Sequence, residues 1–545
     1  LRINKRRYRK DFIVHSMTLC INSSLNNISD DIFIPYEKSH PITTDKFSSM
    51  ENGAYWFGRL LTLENYRNNN HSLNISALDF QSSRENFSSN DYDIIYAGGG
   101  LSVLHAAVMA VVYGYNVCVF DRFEVGSTHR DWNISLSEIK KAIEVGLISE
   151  DELSLIVAKH YSQGGFIKFH DKASSVKTPA LWMKDVLDIA IDANALLQLA
   201  RKKIEYKGGK ILNGTIFKKA ISHNNGVTII TERNGIVDKI KGRVFVDGMG
   251  VYSPVSKTLN PQFQFTHCCP TVGTISSGFE EGEAENQVNT EVGEILVTLD
   301  DADDSGRQLI WEGFPSNEGK FITYLFFYDT FNSSRDKSLL NLYEIFFRQL
   351  HTYKKPAENF AIGRPLFGII PSYLHKSFFQ QKRISAHNIV CIGDSAGLSS
   401  PLTYCGFGSF IRNIKRTTTL LHEALESNKT DAKSLSRITA FESNVSIAAN
   451  FAQFLVGNPR FPRHAVNETM NIILDILQNL PPHIGKELFQ DTLSWSSYNT
   501  LMSTVPKMYP SAYKLLLRHH GINGLYWWLI NFIGFSIEKW RGNIR

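Results

Sequence analysis

Asp93-Ile94-Ile95-Tyr96-Ala97-Gly98-Gly99-Gly100 opens the stretch that decides the fold. A short apolar run ends in a triple glycine, the pattern of a strand turning sharply into a helix. Ala106, Ala107, Met109, Ala110, Val111 and Val112 give that helix a small apolar face to lay on a sheet, and Gly114 ends it. Asn116-Val117-Cys118-Val119-Phe120 then reads as a second buried strand with Asp121 at its tip. The whole is one βαβ unit. Its acid comes about 20 residues after the glycines, where a dinucleotide fold sets a carboxylate against a ribose hydroxyl. Glycines admit a pyrophosphate close to the backbone, and the helix N-terminus offers it unpaired N–H groups. The same pattern also fits an ordinary buried crossover with a glycine-rich turn. Strand, helix and Asp121 together favour the nucleotide site.

Two registers fit G-x-G-x-x-G. In one, Gly98 and Gly100 lead to Val103; in the other, Ala97 and Gly99 lead to Ser102. Either way the third glycine, which permits close helix–strand packing, is replaced while the phosphate cradle stays. Arg122 beside Asp121, and Arg130 just beyond, are candidates to face adenosine phosphates, with surface solvation as their alternative.

Far downstream, Asn388-Ile389-Val390-Cys391-Ile392 is another buried strand, running into Gly393-Asp394-Ser395-Ala396-Gly397. Pro401 and Gly406-Phe407-Gly408 follow, then a helical run through Leu421. Asp394 can accept hydrogen bonds from a sugar-alcohol chain, and a helix opening near Gly406 points N–H groups at an electron-rich ring edge. Gly393-Asp394 with Pro401 and Gly406-x-Gly408 resembles the ribityl-binding motif of FAD-dependent oxidoreductases of the aromatic-hydroxylase type. Val244-Phe245-Val246-Asp247-Gly248 resembles the intermediate D-G motif of that superfamily, without its closing Arg. Three motifs in the right order imply FAD as the bound dinucleotide. On this resemblance the cofactor-binding set is Gly98, Gly99, Gly100, Ser102, Asp121, Arg122, Arg130, Asp247, Gly393, Asp394, Pro401, Gly406, Phe407 and Gly408.

Within that superfamily the chain is most similar to the lycopene-cyclase-like flavoproteins of plastids and cyanobacteria. The tokens are Asp131-Trp132-Asn133-Ile134-Ser135, Trp311-Glu312-Gly313-Phe314-Pro315, and Ser399-Ser400-Pro401-Leu402-Thr403 with Gly406-Phe407-Gly408. The likeness runs from about Asp91 to the C-terminus. It implies a fold and a cofactor better than a substrate. The acidic run Phe-Leu-Glu-Glu-Thr of plant lycopene cyclases is not found here, which speaks against cyclisation of lycopene itself.

The expected fold is α/β: a Rossmann-like FAD-binding domain, an inserted antiparallel β-sheet substrate domain and a helical C-terminal region. Residues 1–90 read as a basic, Asn/Ser-rich extension, and 91–262 as the first part of the FAD-binding domain. Residues 263–384 form the substrate domain, 385–430 the return segment, and 431–545 the helical region. At 545 residues and 43% hydrophobic, the chain can bury an extended core. A net charge of +5 is mild at this length, and basic residues are not striped with aromatics, which sets nucleic acid aside. Six cysteines show no C-x-x-C and no zinc-ligand spacing, so no metal site and a reducing compartment are expected. The start, Leu1-Arg2-Ile3-Asn4-Lys5-Arg6-Arg7-Tyr8-Arg9-Lys10, is either the remnant of an organellar transit peptide or an arm that wraps a neighbour.

Locally, Ser137–Ala158, with Ser149-Glu150-Asp151-Glu152 as a helix start within it, and Asn194–Lys207 read as helices, and Lys210–Ile216 and Val227–Thr231 as strands. Gly293–Leu299, Gln308–Glu312 and Phe321–Tyr328 read as strands of the inserted sheet. Gly363-Arg364-Pro365-Leu366-Phe367-Gly368 reads as a turn near the flavin or the cavity. From Gly521 to Ile537 the chain is uncharged and aromatic, between Arg518 and Lys539. It falls slightly short of the about 20 apolar residues a spanning helix needs, which leaves peripheral membrane contact or a core-packing terminal helix.

Glu312, between Trp311 and Phe314, is the candidate catalytic residue. A carboxyl desolvated by aromatic rings favours its neutral form and can protonate an alkene or a leaving group. An exposed or Lys-paired strand Glu is the alternative. Two functions are compatible with these observations. One is a plastid FAD-binding oxidoreductase, or a redox-neutral flavin-dependent cyclase or isomerase, peripheral to a membrane and acting on a large apolar polyprenoid or carotenoid-like substrate. The other is a flavoprotein-fold structural subunit of an organellar membrane complex, with protein partners there. An oxygen-inserting hydroxylase ranks lower without the D-G Arg. A halogenase ranks lower still without Trp-x-Trp-x-Ile-Pro.

Overall fold

The computed structural model describes residues 29–69, 76–84, 91–128, 130–373, 382–397 and 400–542. The basic stretch Leu1–Lys10 and Ser399 lie outside the described residues. The expected architecture is present: a Rossmann-like α/β layer, a largely antiparallel sheet in which only Gly293–Val297 and Gly165–Lys168 pair in parallel among the described residues, and a helical C-terminal region.

Among the described residues nine strands form the first sheet, in the spatial order Leu78–Phe80, Ile216–His223, Gly226–Arg233, Ile236–Asp247, Tyr92–Ala97, Val117–Phe120 and Lys210–Leu212; Ile389–Cys391 pairs with Ile236–Asp247 and with Ser385–Ala386. The long strand Ile236–Asp247 serves twice. Its first half forms an antiparallel hairpin with Gly226–Arg233, and its second half runs parallel to Tyr92–Ala97. The change falls at Gly242, where a Cβ would lie 2.9 Å from the Tyr92 carbonyl oxygen. The helix Ser102–Val111 is buried from Ser102 to Ala110, enclosed by the sheet and by the helices Ala193–Tyr206 and Gly406–Glu426. Alanines at 106, 107 and 110 allow that close approach.

The second sheet has eight strands in the described residues, ordered Asp329–Thr330, His267–Phe279, Lys320–Phe326, Ile310–Pro315, Gly293–Val297, Gly165–Lys168 and Leu181–Met183, with Pro356–Ser372 along His267–Phe279. Two of its strands, Gly165–Lys168 and Leu181–Met183, come from within residues 91–262. Three local expectations are corrected. The helix expected over Ser137–Ala158 is two helices, Leu136–Glu144 and Glu150–Ile156, followed by the strand Val157–His160. Gly146 at φ +79° breaks it, and Ser149 and Glu152 begin the second piece with reciprocal cap bonds of 3.1 and 2.9 Å. The strand expected over Lys210–Ile216 is two strands, divided at Gly214 (φ +63°). The turn expected at Gly363–Gly368 is the middle of a 17-residue strand, whose partners lie some ninety residues earlier and leave no local mark.

The described part of the N-terminal extension belongs to the fold. Phe47 and Phe57 are fully buried, Phe47 meets Tyr343 edge-on at 5.0 Å, and Glu344 accepts the Thr43 N–H and hydroxyl, each at 2.9 Å. At the other end, Ala512–Trp540 changes direction at Gly521 (φ 60°, ψ 179°). Trp528 and Phe535 are buried, and the Trp528 indole N–H donates to the Tyr498 hydroxyl at 2.8 Å. No helix among the described residues is long and apolar enough to cross a membrane.

Candidate functional site

Four parallel strand ends stand in one register. Ala97 pairs with Phe120 on one side and Asp247 on the other, and Asp247 pairs with Cys391. The loops beginning at Asp121, Gly98, Gly248 and Ile392 therefore leave the same edge of the sheet, at the carboxyl ends where open α/β sheets bind ligands.

The glycine loop resolves the two registers. Gly98 makes the turn, at φ +119°, and a Cβ there would fall 2.2 Å from the Gly248 carbonyl oxygen. A Cβ on Gly99 would meet the Val125 Cα at 2.9 Å, whereas one on Gly100 would meet nothing within 4 Å. Gly100 thus presents open space at the N-terminus of Ser102–Val111. Ser102 takes over the locking role of the absent third glycine, its hydroxyl donating to the Gly98 carbonyl at 2.5 Å. Asp121 accepts the Gly99 N–H and the Phe123 N–H, each at 2.7 Å. Both carboxylate oxygens keep further lone pairs for a hydroxyl ligand.

Asp247 is fully buried and braces the loops. It accepts the Met249 N–H at 3.0 Å and the Ser253 hydroxyl, while its backbone carbonyl accepts the Ser395 hydroxyl at 2.6 Å. Burial raises its pKa from the ordinary carboxylate value. Gly393 (φ +58°) and Asp394 lie in a single turn of 3-10 helix. They line a small cleft with Gly406, Phe410 and Asn413. Lys382, largely buried, donates to the Ser395 carbonyl at 2.7 Å, and desolvation lowers its pKa. Pro401 is buried ahead of the helix Gly406–Glu426. Phe407 in its first turn stacks on Trp132 at 4.5 Å and 25°. A Cβ on Gly408 would lie 3.1 Å from the Glu138 carboxylate, which Arg412 holds at 2.8 Å.

The two arginines separate. Arg122 is exposed, 4.8 Å over the Phe123 ring, and Arg59 of the N-terminal helix Gly53–Asn69 covers the same ring at 4.6 Å. Arg130 instead lies against the second sheet, where its Nη2 would be 2.6 Å from a Cβ on Gly368. Beside it Asp131 pairs with Arg364 at 3.2 Å, although burial still raises the Asp131 pKa.

Glu312 lies in Ile310–Pro315 directly across from Tyr324. Its neighbour Trp311 points the other way, stacked on Tyr353 at 4.6 Å. Desolvation alone pushes the Glu312 carboxyl up to about 8. Its charge, when present, adds to the burial that raises the pKa of Tyr324, its partner across the strand pair.

Several of these groups escape a linear reading. Glu138 carries a signal, the Ser-x-x-Glu capping box from Ser135. Tyr324, Lys382 and Arg59 carry none, because what singles them out is a neighbour far along the chain.

No family model matches the chain, and no curated protein does. Solved structures do resemble it. A geranylgeranyl bacteriochlorophyll reductase-like protein of Thermoplasma acidophilum superimposes with a TM-score of 0.56 at 15% identity, covering 81% of this chain and 99% of that one. A variant of the halogenase PltM in complex with FAD gives 0.53 at 14% identity, covering 83% and 97%. The flavin-dependent brominase Bmp2 gives 0.51 at 12%, covering 77% and 99%. The chain has the fold of these flavoproteins.

Proposed function

We propose that this chain binds FAD across the edge formed by the loops at Gly98, Asp121, Gly248 and Gly393, and acts as an FAD-dependent oxidoreductase or a redox-neutral cyclase or isomerase on a large apolar polyene or prenyl substrate. The observation that carries the reading is the convergence, from strands far apart in sequence, of an open Gly100 at a helix N-terminus, a backbone-anchored Asp121 and the Gly393-Asp394 turn. Those residues fit the group. Gly100 leaves room for a phosphate, Asp121 retains acceptor sites for a ribose hydroxyl, and Asp394 is placed for a sugar-alcohol chain. Bound flavin supplies two-electron chemistry that no side chain here offers.

The protein's own contribution centres on Glu312. At neutral pH its carboxyl holds a proton, directly across the strand pair from Tyr324. In the redox-neutral form, that proton passes to an alkene carbon, leaving a carboxylate and a carbocation, and the Glu312 carboxylate takes back a proton from a carbon next to the cation, so that a new alkene forms and the acid is regenerated. Tyr324 stays protonated, its pKa raised mainly by burial, and can orient the acid or the substrate. The lycopene-cyclase-like tokens around Trp132 and Glu312 support a polyprenoid substrate and a plastid setting, and the name of the geranylgeranyl reductase-like protein with the same fold supports the polyprenoid substrate.

The test is the visible spectrum of the purified protein before and after anaerobic dithionite reduction. Flavin bands that bleach and return support the reading. A colourless protein that takes up no added FAD overturns it and leaves the structural-subunit role. Asp394→Ala is expected to release flavin, and Glu312→Gln to retain flavin while turnover stops.

A further inference from the structure

The C-terminal helix buries one face and leaves the other apolar. After the bend at Gly521, Trp528, Asn531 and Phe535 face the protein. Asn531, a polar break in the sequence, is therefore turned inward. On the outer side Ile522 is 83% exposed, Tyr526 54%, Leu529 55%, Ile533 43% and Trp540 87%. At 3.6 residues per turn these five fall within a sector about 60° wide, running for roughly 27 Å along the axis. A monomeric soluble protein rarely shows so continuous an apolar strip without a use for it.

The charge around the strip selects its occupant. Between Leu501 and Gly542 the cations Lys507, Lys514, Arg518, Lys539 and Arg541 accompany one acid, Glu538. Lys514, Arg518, Lys539 and Arg541 are exposed, and Glu538 is already engaged by Arg541 at 3.3 Å. Lys539 and Arg541 lie on either side of the strip, about 100° from Trp540, where their apolar stems can follow the strip while their charges reach head groups. Tyr526 and Trp540 are the side chains that favour the water–lipid boundary.

We propose that this helix lies flat on an anionic lipid bilayer, with Ile522, Tyr526, Leu529, Ile533 and Trp540 inserted and the flanking cations on lipid phosphates. It is monotopic attachment through a helix whose opposite face is part of the protein core. The attachment does not depend on flavin.

The test is flotation of the full chain with vesicles of phosphatidylcholine plus phosphatidylglycerol, and with vesicles of phosphatidylcholine alone. The protein is expected to float with the mixed vesicles and several-fold less with the neutral ones. Leu529→Asp/Ile533→Asp should lower the floated fraction at least tenfold, and Lys539→Glu/Arg541→Glu several-fold, at unchanged melting temperature. If the Asp pair alters melting, Ile522→Asn, at a position 83% exposed, takes its place. Absence of flotation with mixed vesicles overturns the proposal, as does flotation of the Asp pair equal to the parent. A concentration-dependent dimer that the Asp pair abolishes, with no vesicle binding, would overturn it in favour of a second copy on this face.

Discussion

The Asp121 carboxylate is bonded into the neighbouring glycine loop: Oδ2 accepts the Gly99 N–H at 2.7 Å while Oδ1 accepts the Phe123 N–H at the same distance. One side chain therefore ties the tip of Val117–Phe120 to the turn after Tyr92–Ala97. Asp121→Asn keeps one acceptor oxygen for two donors. A part-buried N–H left unpaired costs about 1–3 kcal/mol. The urea midpoint should fall accordingly, and an unchanged midpoint would remove these bonds from the account of the loop.

Gly98 and Gly100 should respond oppositely. Gly98→Ala puts a Cβ on the Gly248 carbonyl and adopts φ +119°, which a side chain resists, so the protein should be expressed poorly or melt several degrees lower. Gly100→Val points into open space and should leave the melting temperature near the parent's while flavin occupancy drops severalfold. Equal flavin binding by a folded Gly100→Val protein would move the phosphate elsewhere.

Glu312 should make stability depend on pH. Its folded pKa, about 8, lies above the unfolded value near 4.5, so the folded state holds a proton that the unfolded state has released between those limits. Its contribution is full below about pH 4.5, declines as pH rises through this window, and is gone above about 8. Glu312→Gln has no such proton and should flatten that part of the profile. Denaturation at pH 5, 7 and 8.5 for both proteins reads the difference. Parallel profiles would mean that Glu312 is solvated.

Arg412 is nearly buried between Glu138, at 2.8 Å, and Glu442, at 3.5 Å, with its Nε unpartnered. Asp491 nearby is pushed up to about 6, by burial first and against the pull of Arg412. Arg412→Met strands two carboxylates and should destabilise the protein by about 3–5 kcal/mol. Arg412→Met/Glu138→Gln should recover part of that loss. Equal denaturation midpoints for parent and Arg412→Met would show the pair to be neutral.

The legible part of the fold is the part written in short-range pattern. Tyr92–Ala97, the glycines and Ser102–Val111 are adjacent in sequence, and strand length, glycine conformation and helix periodicity are local properties. Ser149 and Glu152 announce a helix start for the same reason. Arg364 shows the limit. Its segment contains Gly363, Pro365 and Gly368, which locally argue for a turn, yet twelve paired residues of His267–Phe279 hold it extended. That ladder outweighs local preference and cannot be seen from either segment alone.

What the sequence by itself determined is the βαβ unit, the order of the three loop motifs and the identity of the acids at their tips, because spacing of a few residues sets each of them. The tertiary structure decided the rest. It chose Gly98 for the turn and left Gly100 open, buried Asp247 as a brace, and desolvated Glu312 so that its pKa is raised. It also turned Trp528 and Asn531 inward on a helix whose Ile522, Leu529 and Ile533 face out. Each of those outcomes depends on which distant surface a residue meets, and burial, pKa and exposure are properties of that meeting.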